Sequence, residues 1–273
     1  MWAAGRGRLA VVMPENSNLA RQQSVPADGR PTGADHLTIV SRQNGDKQGR
    51  ALAERSPLFS GILPGDYSGI SATARVKVFA RGERLYLEGD SVKQVMLLNA
   101  GFVKITQLGN AGTEVIIRLC GPGDVLGAAG LLSTVPHRTT AQAFRDCRAL
   151  VWEASAFRAL VGRYPILHQN MVRILGDDLL ELEARFREVA TERVGARVAR
   201  QLVRLLEQIG RPAIHGNGEM EVCLSREDLA QMTGTTLFTV SRLLSAWEAR
   251  GMVKPRREAV GICDVQSLRA ITE

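Results

Sequence analysis

Hydrophobic positions along this chain change their spacing three times, and each spacing predicts a different kind of element. In the stretches Val76–Asp90, Val95–Gly127 and Thr139–Ser155 apolar residues alternate with polar ones. Val95 goes with Leu97, Val103 with Ile105, and Val115 with Ile117 and Leu119. A period of two is that of a half-buried strand. Glu88-Gly89-Asp90, Gly101, Gly109-Asn110 and the run from Gly121 to Gly123 mark the turns. Many short strands at this spacing predict a double-sheet roll or barrel, with a short helix over Ala51–Ser60 packed before it.

The period then lengthens. Tyr164 to Val194 reads as one long helix on which Val172, Leu175, Leu179, Leu182, Phe186 and Val189 alternate by three and four residues. That is the seam of a coiled coil and predicts a dimer. Glu181, Glu183, Arg185, Arg187 and Glu188 are available to flank it, while Met171 and Ile174 are left to pack on the roll. Val194, Val198, Leu202 and Leu205 form the inward stripe of the next helix.

A third pattern runs from Leu224 to Arg250, LSREDLAQMTGTTLFTVSRLLSAWEAR. Ser225 caps a short helix, with Asp228 three residues on closing a capping box. Gly234 supplies the turn, and Thr235 or Thr236 caps a second helix. Val240, Leu243, Leu244 and Trp247 should face inward there, leaving Leu237, Phe238, Ser241, Arg242 and Ser245 outside. Short helix, tight turn and a longer helix presenting Ser and Arg is the layout of a helix-turn-helix whose second helix enters a DNA major groove. An antiparallel helix pair inside an all-α core shares the periodicity but not the two caps combined with a Ser–Arg face.

Charge and cysteine content sharpen this picture. The 273 residues carry a formal charge of +7 with a pI near 9.7, which suits a polyanionic partner. No apolar run is long enough to span a membrane. Cys120, Cys147, Cys223 and Cys263 are widely spaced and read as reduced thiols of a cytoplasmic protein, with no metal site. His36, His137, His168 and His215 include no H-x-H pair, and no nucleophile-elbow or P-loop spacing occurs, so the chain is not expected to be an enzyme. Residues 1–50 are rich in Gly, Arg, Gln, Ser, Asn and Pro without periodicity and are expected to be disordered.

The segment LSREDLAQMTGTT…TVSRLLSAWEARGMV resembles the winged helix-turn-helix of the Crp/Fnr family of bacterial transcription regulators. The likeness continues upstream at RGERLYLEGD, LLNAGFVKI and GPGDVLG, which resemble the family's cyclic-nucleotide-binding β-roll. It implies an α+β chain: a β-roll sensor domain over residues 51–163, a dimerisation helix over 164–194 and a winged helix-turn-helix over 195–273. It also implies three partners: double-stranded DNA with an inverted-repeat site, a second copy of the chain, and RNA polymerase. On the DNA-binding surface it places Arg242 at a guanine and Ser241 beside it, with Thr236, Thr239, Lys254, Arg256 and Arg257 at phosphates. Phe238 stands where relatives carry a Glu that accepts from cytosine, so a thymine methyl becomes the expected target, or reading lapses there.

The effector is less legible. In the family's nucleotide sites a Gly-Glu-Leu run meets the ribose and an Arg-Ser pair binds the cyclic phosphate. Here the first run is Gly127-Ala128-Ala129, Arg138-Thr139 stands at the second, and Leu182-Glu183 replaces the hydroxyls that meet adenine. Gly127, Arg138, Thr139 and Leu182 are therefore the candidate effector positions of a site unsuited to cAMP. Arg138 serves either a structural ion pair or another anion. No cysteine precedes Cys120, which excludes the family's N-terminal iron–sulfur cluster. For a haem the axial donors on offer are His137, His168, Met171, Cys120 and Cys147. The TTLFTVSR segment resembles that of members tied to nitrogen-oxide respiration, which leaves a redox or nitrogen-oxide signal as one expectation. The rival readings are an anion-responsive regulator using Arg138, an effector-binding protein with a vestigial helix-turn-helix, and a regulator controlled by its abundance.

Overall fold

The computed structural model describes residues 56–272 apart from 111, 134 and 214–218. The disorder expected over residues 1–50 and the first half of the helix expected over Ala51–Ser60 lie outside the described residues. The second half of that helix is instead a single 3-10 turn, Pro57–Phe59, whose entry is capped by Ser56 accepting from the Leu58 amide at 3.3 Å.

Helix α1 (Pro64–Ala72) starts on a proline, where a missing N–H costs nothing, and buries Tyr67 and Ile70. Eight strands come next: β1 (Arg75–Phe79), β2 (Arg84–Tyr86), β3 (Gln94–Ala100), β4 (Val103–Leu108), β5 (Glu114–Cys120), β6 (Val125–Leu126), β7 (Thr140–Ala143) and β8 (Cys147–Glu153). Helix α2 (Ala128–Ser133) interrupts them. They form two antiparallel four-stranded sheets, ordered β1-β8-β3-β6 and β2-β7-β4-β5. Phe79, Met96, Leu98, Val103 and Cys120 fill the space between the sheets.

The first sheet is covered on both faces, which is why Val95-Met96-Leu97-Leu98 reads as an unbroken apolar run. Met96 and Leu98 point into the roll. Val95, Leu97, Leu150 and Trp152 point outward, against Leu58, Ile70, Phe157 and Met171. Trp152 donates its indole N–H to the Ile70 carbonyl at 3.1 Å and meets Phe157 edge-on at 5.6 Å. In β5 the register slips: Ile105 pairs with Arg118 and Thr106 with Ile116, so Ile117 is an extra residue. Ile116 and Cys120 are buried while Val115 is exposed, and Leu119 turns towards the C-terminal part of the chain.

Helix α3 (Ala154–Arg163) leads into α4 (Pro165–Thr191), rooted by Leu167 and Met171, both without exposed surface. Asn170 donates to the carbonyls of Leu58 and Ser60, both at 2.8 Å. The long helix expected to reach Val194 stops three residues short. Glu192 and Arg193 are extended, with ψ of 151° and 147°, and α5 (Val194–Ile209) begins afresh. The C-terminal part then runs β9 (Arg211–Pro212), β10 (Met220–Val222), α6 (Arg226–Thr233), α7 (Leu237–Ala249), β11 (Val253–Pro255), β12 (Val260–Ile262) and α8 (Val265–Ala270). Its sheet is ordered β11-β12-β10-β9. Val198, Leu202, Leu205, Leu229, Leu244 and Trp247 make its core, and Leu119 of the roll is part of the same cluster, with Phe102 and Phe144 packed against it. Among the described residues no helix is long and apolar enough to cross a membrane.

Two glycines separate backbone strain from steric conflict. Both Gly101 and Gly112 lie in the left-handed region, with φ of +78° and +76°. A Cβ on Gly112 would meet nothing, whereas one on Gly101 would stand 2.1 Å from the Asp146 carbonyl oxygen and 2.6 Å from the Cys147 Cα. Gly112→Ala should cost only the left-handed penalty, about 1–2 kcal/mol. Gly101→Ala should cost clearly more, because the β8 entry must move. Urea unfolding of the two variants checks this, and equal losses would show that the close approach is relieved elsewhere.

Candidate nucleic-acid interface

The helix-turn-helix is built from its caps. Ser225 is extended and its hydroxyl accepts from the Asp228 amide at 3.0 Å, while Asp228 accepts from the Ser225 amide at 3.2 Å. These reciprocal bonds satisfy two donors that the start of α6 would otherwise leave bare. Gly234, at φ +59°, ends α6 in the left-handed region. Of the next two threonines, Thr236 caps α7: it accepts from the Thr239 amide at 3.2 Å, and the two hydroxyls lie 3.0 Å apart. Arg197 of α5 also donates to the Thr233 carbonyl at 3.2 Å, tying the turn to the helix before it.

Rigid caps fix which side of α7 faces out. Val240, Leu244 and Trp247 are buried and Leu243 is half-buried. Arg242 and Ser245 are exposed, Ser241 and Thr239 are half-buried, and Leu237 and Phe238 stand out at 47% and 76% exposure. Arg242 has no ion-pair or hydrogen-bond partner among the described residues, so its guanidinium is free to meet a ligand.

The wing is the hairpin of β11 and β12, where the Arg256 amide donates to the Ala259 carbonyl at 2.7 Å. Its basic residues are not equivalent. Lys254 forms an ion pair with Glu219, which raises its pKa first through the hydrogen bond and then through the charge. Arg256 and Arg211 share Glu221, at 3.3 and 2.9 Å, and the Glu221 side chain is 3% exposed. Arg257 is exposed and unpaired among the described residues. Glu258 pairs with Arg81 of the roll at 2.8 Å, and that bond holds its carboxyl below the usual range. The sequence signal for this tethering was a glutamate, Glu221, inside an otherwise apolar strand.

More contacts join the roll to this C-terminal head. Arg145 stacks on Phe102 at 5.8 Å and donates to the Cys223 carbonyl at 3.2 Å. Gln208 donates to the Leu119 carbonyl at 2.7 Å, and Lys104 lies 3.8 Å from Asp228. On the other side of the helix break, Arg200 pairs with Glu192 at 3.0 Å, and Arg204 pairs with Glu188, which raises the Arg204 pKa.

The four candidate effector positions differ in their surroundings. Gly127 has φ +85°, and a Cβ there would stand 2.6 Å from the Gln94 carbonyl oxygen, so it serves a close backbone approach. Ala128 is 4% exposed within the core. Arg138 is exposed and its carbonyl accepts from Gln107 at 2.9 Å. Thr139 hydrogen-bonds Tyr86, whose phenol is pushed up to about 12 by burial. Leu182 lies on α4, 49% exposed. None of the four lines the roll cavity of about 270 Å³. Of the five haem-donor candidates only His137 lines it. Burial pushes the Cys120 and Cys147 thiols up to about 11, Met171 is in the core and His168 is exposed on α4. Among the described residues no three His, Cys, Asp or Glu side chains gather as a metal site.

Along α4 the seam residues Val172, Leu179, Leu182, Phe186 and Val189 are 49–73% exposed, and Leu175 is half-buried. Arg118 of β5 forms an ion pair with Asp178, and Arg185 donates to Glu181 at 2.5 Å and to the Ile117 carbonyl at 2.9 Å. The bonds from Arg118 to Asp178 and from Arg185 to the Ile117 carbonyl tie the flank of the helix beside this stripe to the roll.

Comparison with known proteins divides the chain in the same way. Residues 76–164 match the cyclic nucleotide-binding domain family, and residues 196–271 match the Crp-like helix-turn-helix domain family. The CRP-like cAMP-activated global transcriptional regulator of Mycobacterium tuberculosis is 24% identical over 219 residues, covering 80% of this chain and 96% of its own. The nitrogen fixation regulation protein FixK of Azorhizobium caulinodans is 28% identical over 207 residues, covering 74% and 81%. A crystal structure of a CRP-family transcriptional regulator from Thermus thermophilus superposes with a TM-score of 0.63 at 25% identity, covering 72% of this chain and 96% of that one.

Proposed function

The chain belongs to the Crp/Fnr family of transcription regulators, and from that premise we propose that it acts as a homodimer on an inverted-repeat DNA site, under an effector other than cAMP. One observation carries the DNA reading: a doubly capped helix-turn-helix whose α7 holds an unpaired, exposed Arg242 beside Phe238. A vestigial helix-turn-helix has no need of either feature. Two such helices related by a two-fold axis read half-sites about 34 Å apart. Bound there, the dimer meets RNA polymerase as the family's regulators do.

The dimer rests on α4. Five large apolar side chains on one stripe are about half exposed or more, a surface that a second copy of the same helix would bury. Replacing Leu179 and Leu182 with Asp puts unpaired charge into that seam, which costs several kcal/mol. Sedimentation should give a dimer for the wild type and a monomer for the double variant. A monomeric wild type at micromolar concentration would remove this part of the proposal.

The M. tuberculosis relative is named as cAMP-activated, but the same signal does not suit this chain. Ala128, buried in the core, offers a ribose no acceptor, and Leu182 offers a base no hydroxyl. Each lost buried hydrogen bond costs about 1–3 kcal/mol. Calorimetric titration should show no tight cAMP binding. A micromolar constant that disappears in Arg138→Ala would restore the nucleotide reading. Cys120 and Cys147, held as neutral thiols by burial, also argue against a redox signal at those two positions.

On DNA, Arg242 gives its two-pronged bond to the O6 and N7 of a guanine, with Ser241 as a short helper. Phe238 lies against a thymine methyl. Thr236, Thr239, Lys254, Arg256 and Arg257 meet phosphates, and Lys254 and Arg256 must share their charge with Glu219 and Glu221 to do so. Arg242→Ala should therefore cost about 1–3 kcal/mol and relax one base pair per half-site. Arg257→Ala should weaken all sequences alike and lower the salt slope by roughly one. Selection from a random DNA library reads both effects. An unchanged motif for Arg242→Ala would mean that this helix does not read bases as proposed.

A further inference from the structure

The roll contains a cavity of about 270 Å³ that none of the positions above explains, and its lining has a definite chemical pattern. Leu85, Met96 and the ring of Tyr86 supply apolar wall, and Asp90 and Lys93 supply opposite charges. His137 also lines it, only 8% exposed, its imidazole stacked on Tyr86 with centroids 3.7 Å apart and planes 10° from parallel. Among the described residues neither imidazole nitrogen has a hydrogen-bond partner. Burial lowers the pKa of His137, outweighing the nearby Asp90, so near neutral pH the ring is uncharged and offers one donor and one acceptor.

Asp90 and Lys93 are exposed, at the mouth of the cavity. Asp90 accepts from the Leu87 amide at 3.0 Å through one carboxylate oxygen only. Among the described residues it pairs with no cation, Lys93 pairs with no anion, and the two do not pair with each other although both line the one cavity. The backbone holds this arrangement open. Gly89 donates to the His137 carbonyl at 2.8 Å, and the His137 amide donates to the Asp90 carbonyl at 2.9 Å, so the loop bearing the acid is stitched to the strand entry bearing the imidazole.

We propose that this cavity binds a small zwitterion of the α-amino-acid type. Its ammonium meets Asp90, its carboxylate meets Lys93, the imidazole of His137 completes the polar contacts, and an apolar side chain lies against Met96 and Leu85. The volume admits one molecule of amino-acid size. Separated, unpaired charges of opposite sign match a ligand that carries both, because each charge-assisted bond then forms at a charge that has no partner among the described residues. The site is a property of the roll and stands whether or not the C-terminal head reads DNA.

The test uses the full chain and three probes of one shape: L-leucine, 4-methyl-2-oxopentanoate, which lacks the ammonium, and 3-methylbutylamine, which lacks the carboxylate. Ring resonances of His137 and Tyr86, followed by NMR, report occupancy. Leucine at millimolar concentration should shift them saturably, and the other two should bind at least about tenfold more weakly. Asp90→Asn keeps the turn acceptor, so it should fold. It should weaken leucine and leave the oxo acid unchanged, while Lys93→Gln should weaken leucine and leave the amine unchanged. His137→Phe preserves the stack and should weaken leucine. Resonances unmoved by leucine, or three probes that act alike, would overturn the proposal.

Discussion

The rooting of α4 in the roll is the contact on which the rest of the arrangement depends. Leu167, Asn170 and Met171 lie within about one turn, and each is fixed: two by complete burial, one by two carbonyls of the Pro57–Phe59 turn region. Three fixed residues in a helix leave no freedom of rotation about its axis. Every later side chain of α4 therefore has its direction set, one face towards the roll, where Asp178 and Arg185 are bonded, and one face carrying the apolar stripe outward. The roll by itself orients that stripe. That makes the exposed stripe a feature of the folded monomer rather than a product of association.

The break at Glu192-Arg193 is the second consequence. A continuous helix through Val194 would carry the head along the same axis. Two extended residues turn it back so that α5, α6 and β10 reach the roll. The seat they find is apolar, Leu119 with Phe102 and Phe144, and is rimmed by single polar contacts from Arg81, Arg145 and Gln208. The Arg81 pair is exposed to solvent and contributes little, and the other two are single part-buried bonds to backbone carbonyls. The apolar seat holds the head, and the rim sets its angle. A rim of weak, salt-sensitive bonds around one apolar seat can be shifted by a modest difference in binding free energy between two head positions.

Much of this architecture was legible because it follows from local chemistry. The capping box at Ser225, the turn at Gly234 and the cap at Thr236 each need only a few neighbouring residues, and their pattern fixes the helix-turn-helix. The apolar stripe of α4 was legible for the same reason, as a repeat along one helix. Elements that depend on distant partners were not. Helix α1 buries only Tyr67 and Ile70 and carries two glycines, so no periodicity announces it. The buried parity of β5 depends on a bulge opposite Ile105, which no reading of β5 alone contains. The helix break and the capture of Lys254 and Arg256 by Glu219 and Glu221 likewise arise from pairings far apart in sequence.

The same distinction bears on what the roll senses. Nucleotide recognition in a roll of this kind is a matter of a few polar side chains on a framework whose glycines and core residues are required for folding in any case. Gly127 is required here by the Gln94 backbone, with or without a ligand, and Ala128 is required by the core. Framework residues can therefore match a nucleotide-binding family while the chemistry for a nucleotide is gone. Unpaired buried polar groups are a better guide, because folding alone does not reward them. The imidazole of His137, in a residue only 8% exposed, has no hydrogen-bond partner among the described residues and lies beside Tyr86 in the cavity.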